Sequence, residues 1–174
     1  MNFRIYARGA GFLFLGLSIL FLDFFTKAYV YNILPFYDSY AGLPSGEIEV
    51  FRNFLGIDFF IALTTNSGAA WGMFADFKSI LLVVRILVIL GLLVYLFFLN
   101  KSRSADLPLV FIISGALGNV IDFFLYGHVI DFLHFNLWGY HFPVFNVADS
   151  SITIGSVLFF VTALFFKKNR SVEV

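Results

Sequence analysis

The chain reads as an all-α integral membrane protein: four transmembrane helices, with a small β-rich subdomain inserted between the first and the second. Three observations lead there. Hydrophobic residues make up 60% of the 174 and charged residues 13%, against roughly 25% charged in ordinary soluble domains. Mean hydropathy is +0.92. Four apolar runs approach or exceed what a hydrocarbon core of about 30 Å demands, and only the interval after the first breaks into turn residues and alternation. A formal net charge of zero gives no basic field for nucleic acid, so no such partner is expected. The absence of cysteine excludes disulfides, thiolate catalysis and cysteine-ligated metals.

The first span covers about 10–31. It is too long for a secretory signal peptide, no small-x-small cleavage site follows it, and Asp23 and Lys27 interrupt it, so a retained helix is expected. Asp23 and Lys27 stand four apart on one helix face and can neutralise each other. Two readings stay open for them, a self-paired helix end with a snorkelling lysine and support for a site.

From about 32 to 77 the pattern changes. Pro35, Gly42, Pro44 and Gly46 punctuate it, Asp38, Glu47, Glu49 and Asp58 add acid, Glu47 to Val50 alternates, and Ile57 to Thr65 is β-branched and aromatic. Short antiparallel strands lying on the membrane surface are expected here. The run Thr64 to Gly72 then supplies small residues for close backbone approach and, in Asn66, an amide able to hold an extended peptide.

The second span covers 79–99 and carries Arg85 some two turns inside. A lone arginine at that depth costs at least about 2.5 kcal/mol unless it snorkels or pairs. It either lies at the lipid boundary or reaches a carboxylate on a neighbouring helix. A short polar loop with Lys101 and Arg103 leads to the third span, 107–126, and the fourth covers 151–166, which is short for a crossing.

Charge placement gives an orientation. Arg4, Arg8, Lys101, Arg103, Lys167, Lys168 and Arg170 fall in the termini and the 100–106 loop, which the positive-inside rule assigns to the cytoplasm. Segments 32–78 and 127–150 are then expected outside, with Asp23, Asn66, Asp122, Asp131 and Asp149 all arriving at the outer leaflet boundary.

The stretch from Gly118 to Asp149 concentrates the chemistry: Asp122, Asp131 and Asp149, with Asn119, Asn146 and three histidines, in apolar surroundings. Ionisable groups in such a place must pair, neutralise or face a wet cavity, and they mark a functional site by default. Gly139 and Pro143 lie between Asp131 and Asp149, which suits two chain ends brought together by a loop, near enough to share a proton. A carboxyl pair of this kind leaves one acid and one base at neutral pH and can activate water. Asp149 is also a reasonable N-cap for the fourth helix. His128, His134 and His141 lack the spacing of a helical zinc motif, so no metal is expected. Ser114 and Ser150 lack a nucleophile elbow or a lysine partner.

The words of this stretch resemble a known family. Gly118-Asn119-x-x-Asp122, Gly127-x-Val129-x-Asp131-Phe132 and Phe145-Asn146-x-Ala148-Asp149, with Asp23-x-x-Thr26-Lys27 and Asn66-x-Gly68-Ala69-Ala70-Trp71-Gly72 upstream, are similar to the motifs of the lipoprotein signal peptidases (signal peptidase II). One departure is Phe123, where the family pattern has arginine; this gives Arg85 its second reading, as a relocated cation. The resemblance implies an aspartic endopeptidase of the bacterial inner membrane, multi-pass, with a periplasmic β-rich subdomain. It implies cleavage of prolipoproteins before the diacylglyceryl-modified cysteine, with Asp131 and Asp149 as catalytic pair. Asn66, Gly68, Asn119, Asp122, Asn146, Asp23 and Lys27 would support the site or bind substrate. No cofactor is implied; the expected partners are the lipidated precursor and membrane lipid, and the protein is expected to be a monomer. The rivals are a catalytically impaired relative that still binds lipopeptides and a small proton-coupled transporter, which would carry polar residues at several depths.

Overall fold

The computed structural model describes residues 3–34, 47–67, 77–100 and 102–170. Four helices are long and apolar enough to cross a membrane: Gly9–Ile33, Lys78–Leu99, Arg103–Tyr126 and Val147–Leu164. They belong to α1 (Phe3–Ile33), α2 (Lys78–Val94, prolonged by a π turn at Tyr95–Leu99), α3 (Asp106–Tyr126) and α4 (Val147–Arg170). α3 is the central helix, with α1, α2 and α4 each packed on it. Its burial explains why. Pro108, Leu109, Ile113, Ser114, Gly115, Gly118, Val120 and Asp122 are all buried on it, whereas α2 buries Ile89 alone. Large side chains such as Phe14, Phe21, Phe97, Phe98, Phe124 and Phe160 stay exposed on the helix surfaces. In hydrocarbon such side chains carry no hydrophobic penalty, so exposure there is the expected state.

The sheet corrects the sequence reading. Its four antiparallel strands run in the order β1 (Ile48–Phe54), β2 (Ile57–Asn66), β3 (Val129–Leu137) and β4 (Tyr140–His141). Only β1 and β2 come from the segment between the first two helices. β3 and β4 come from the segment between α3 and α4, which was expected as a loop, and β3 pairs with β2 from Ile57↔Leu137 to Asn66↔Val129. The residues Val129 to Leu137 carry apolar side chains on both faces, without the polar–apolar alternation that advertises a half-buried strand. Both faces are in fact covered: Ile130 and Phe132 pack with Val30, Leu34 and Leu63, while Phe135 stacks between Phe59 and Phe145 at 4.4 and 5.9 Å.

Two turns deliver β3 and α4 to the same place. α3 stops at Gly127, which takes a left-handed conformation at φ 77° and donates its N–H to Phe123 O; a residue with a Cβ adopts this cap conformation only with strain. β3 starts two residues later. After β4 the chain returns along β3, with Phe145 bonded to Leu133 in both directions, and enters α4 at Val147. The fourth helix therefore starts earlier than the expected Ser151. It gains the turn that made the span look short.

Candidate active site

Element ends position every polar group of the site. Asp131 is the third residue of β3, opposite Thr64 on β2, and is 2% exposed. Its two carboxylate oxygens are held from different directions: Asn146 Nδ2 donates to Oδ1 at 2.7 Å and Asn66 Nδ2 donates to Oδ2 at 3.3 Å. The wholly buried Asn146 also extends Nδ2 toward Ile130 O and Asn119 Oδ1, each at 3.2 Å. At its other end, Asn146 Oδ1 accepts the backbone N–H of Asp149 at 2.8 Å. This bond is the N-cap of α4. Asp149, expected to cap the helix itself, is instead a residue of its first turn, and its carboxylate is available to the site. Asn119 Nδ2 holds it through Oδ1 at 2.8 Å. One buried amide thus joins the two carboxylates, touching the side chain of one and the backbone of the other.

Charge sets the protonation of the pair. Burial first, and then the negative charge of Asp149, push the Asp131 carboxyl up to about 7; the bonds from Asn66 and Asn146 and the charge of Lys27 oppose that rise. Asp131 therefore keeps its proton to far higher pH than an ordinary carboxyl, in a site where it faces a second carboxylate.

Beneath it lies a layer of opposite design. Lys27 is 0% exposed, and its Nζ meets Asp23 Oδ2 at 2.8 Å, Asp122 Oδ2 at 2.8 Å and Asn119 Oδ1 at 3.0 Å. An ammonium has three N–H donors, so all three are used. Each acid also accepts a backbone N–H: Ala148 donates to Asp23 Oδ1 at 2.8 Å and Ile130 to Asp122 Oδ2 at 3.1 Å. The first bond satisfies another free N–H at the start of α4, and the second fixes β3 one residue before Asp131. The layer thus ties α1, α3, β3 and α4 together directly under the carboxylate pair. Gly118 makes room for it, since a Cβ there would lie 2.5 Å from Asp23 Oδ2.

Of the residues singled out from sequence, Asp23, Lys27, Asn66, Asn119, Asp122, Asp131, Asn146 and Asp149 are brought together. Gly68 lies outside the described residues, as do Ala69, Ala70, Trp71 and Gly72. Arg85 is half-buried on α2, and Phe123 is half-buried in the last turn of α3; Lys27 is a cation that meets the carboxylates of Asp23 and Asp122. The contact of Lys27 with Asp122 and Asn119 was not legible in sequence. Only its i, i+4 relation to Asp23 signalled a pair. The histidines serve elsewhere. His134 Nδ1 lies 2.8 Å from Glu47 Oε1, and His141 Nδ1 lies 3.3 Å from His134 Nε2. His128 has its pKa lowered by burial and by the nearby charge of Lys78. Among the described residues, no group of three His, Asp or Glu is arranged to hold a metal ion. The hydroxyl of Ser150 is bonded to Asn146 O.

Comparison with known proteins agrees with this architecture. A family model described as signal peptidase (SPase) II matches residues 15–165. The lipoprotein signal peptidase of Staphylococcus carnosus (strain TM300) is 38% identical over 163 residues, covering 92% of this chain and 94% of that one. The lipoprotein signal peptidase of Chlamydia pneumoniae is 49% identical over 102 residues, 58% of this chain and 61% of that protein. A bacterial membrane enzyme whose structure was obtained by the in meso method at 2.3 Å resolution superposes with a TM-score of 0.78 at 28% identity, covering 92% of this chain and 91% of that one.

Proposed function

The chain belongs to the signal peptidase II family, and we propose that it works as an aspartic endopeptidase in which Asp131 and Asp149 divide the acid and base roles. The family's work, removal of signal peptides from bacterial prolipoproteins, is the function of this chain. The observation that carries the aspartic mechanism is the Asn146 amide, which donates to Asp131 Oδ1 at 2.7 Å while accepting the N–H of Asp149 at 2.8 Å.

The chemistry follows from the asymmetry of the pair. Protonated Asp131 donates a hydrogen bond to the scissile carbonyl oxygen, and ionised Asp149 takes a proton from a water poised between the carboxyls. The water oxygen bonds to the carbonyl carbon, whose oxygen takes the Asp131 proton. As the C–N bond breaks, the proton held by Asp149 passes to the leaving amine and Asp131 recovers its own from the collapsing diol. Asn119, Asn146 and Asn66 fix the carboxyl oxygens throughout, so little reorganisation accompanies the charge movement.

The position suits the substrate class. Pairing of β2 with β3 holds the two inter-helix segments on one side of the bundle, and the bias of basic residues toward the termini and the 100–106 loop supports placing that side outside the cytoplasm. A lipid-modified cysteine would then keep the scissile bond, on its amino side, at the depth of the aspartates, while its chains remain in the bilayer. Transport is not favoured, because the polar residues gather at one end of the bundle.

The test is cleavage of a lipidated precursor by wild type, Asp131→Asn and Asp149→Asn. Loss of turnover in both variants with precursor binding retained is the expected result. Either variant cleaving at the wild-type rate would overturn the aspartic mechanism, and a wild type that binds without cleaving would reveal the impaired relative.

A further inference from the structure

The tip of the sheet presents four large side chains to its surroundings: Phe54 is 64% exposed, Leu55 78%, Trp138 75% and Tyr140 58%. They come from two different hairpin turns, β1–β2 and β3–β4. The turns are clasped together, with Trp138 N–H donating to Gly56 O at 2.9 Å and Trp138 Nε1 donating to Leu55 O at 3.0 Å. The indole lies over Gly56, where an added Cβ would come within 2.5 Å of the ring. Leu55 and Trp138 hold φ at 54° and 51°, a left-handed conformation uncommon for bulky residues. The clasp therefore fixes the outward direction of both side chains at some cost in backbone strain.

We propose that this clasped tip is an interfacial anchor, seated in the headgroup region of the bilayer beside the helix bundle. The length of β3 sets apart the two places the tip can occupy, and the composition of the tip chooses between them. β3 runs nine residues from the end of α3, about 30 Å at strand rise, which exceeds the roughly 10 Å width of a helix. A sheet standing up from the membrane would carry the tip far into water, with Trp, Leu, Phe and Tyr held there rigidly. A sheet lying along the membrane carries it past the bundle and over lipid. The composition fits the second placement: Trp and Tyr favour the headgroup level, and the indole N–H is already bonded, so its ring enters a less polar medium with no unpaired donor. The exposed charges of the hairpin, Arg52 and Glu49, sit back from the turn as a pair at 3.2 Å. The inference rests on the placement of the helices in a bilayer and not on the peptidase chemistry.

The chain has two tryptophans, so the full-length Trp71→Phe variant carries Trp138 as a single reporter. In phosphatidylcholine–phosphatidylglycerol vesicles, lipid brominated near the headgroup end of its chains is expected to remove about half of the Trp138 emission, with aqueous iodide quenching little. Leu55→Glu in the same background is expected to reverse the two responses. Should Trp71→Phe fail to fold, the difference between wild type and Trp138→Phe reads the same signal. Quenching by iodide without any response to brominated lipid would place the tip in water and overturn the proposal. Silence to both quenchers would mean that protein covers the tip, and would overturn it equally.

Discussion

Lys27 Nζ and Asp122 Oδ2 stand 2.8 Å apart with both side chains almost wholly shielded, and the same ammonium binds Asp23 Oδ2 at 2.8 Å. Removing it leaves two carboxyls in a dry layer with no counter-charge. Lys27→Met is expected to cost about 3–5 kcal/mol of stability, read as a fall in thermal midpoint in detergent micelles. The triple variant Lys27→Met, Asp23→Asn, Asp122→Asn should recover part of that loss, because no uncompensated charge remains. Equal midpoints for wild type and Lys27→Met would show that the layer does not hold the helices together.

Asn146 caps α4 and grips Asp131 at once, so Asn146→Ala should show two separable effects. Loss of the cap is expected to cost about 1 kcal/mol of stability. Loss of the grip is expected to lower kcat on the order of 10²-fold through misplacement of the carboxyl, with little change in KM. Asn146→Ser retains a cap oxygen but not the amide donor, and should keep most of the stability while losing the rate. A rate loss that tracks stability across both variants would count against the gripping role.

The raised pKa of Asp131 fixes the sign of two pH effects. Its folded value, about 7, lies above the ordinary 3.8, so the folded protein holds more protons between those limits. Stability then falls as pH rises through that window and levels off above it. If activity needs protonated Asp131, kcat/KM should decline on the alkaline side as pH rises through this value. The Asn66 bond lowers that pKa. Asn66→Ala should consequently move the alkaline limb to higher pH, and a shift in the other direction would refute the assignment of Asp131 as the proton-bearing partner.

Gly118→Ala tests the spacing of α1 and α3. The new methyl would meet Asp23 Oδ2 at 2.5 Å and Ala148 Cβ at 3.3 Å. Backbone or side chain must shift, at about 1–3 kcal/mol, and the displaced Asp23 should release the N–H of Ala148. Reduced thermal midpoint together with reduced turnover is expected; an unperturbed variant would mean that the layer yields without consequence.

Much of the site could be read from residue types alone, since carboxylates and amides in apolar surroundings have few structural excuses. The helices were legible for the same reason: runs of apolar residues this long serve little else. What escaped was long-range partnership. The partners of Lys27 on α3 lie far along the chain, and nothing local to Lys27 distinguishes Asp122 from any other acid. β3 escaped because its side chains are covered on both faces, which removes the polar–apolar alternation that marks a half-buried strand. Asp149 resembled a cap because Asn146, three residues earlier, competes for the same duty with the same chemistry.

The pairing of β2 with β3 also has a consequence for how the enzyme is born. The ribosome releases Asn66 early, Asp131 only after the third helix, and Asn146 and Asp149 last. A nascent chain halted anywhere before the fourth helix lacks half of the pair and the amide that aligns it. On the proposed assignment of the pair, hydrolytic competence would arrive as a final event of biogenesis, when every span is already threaded.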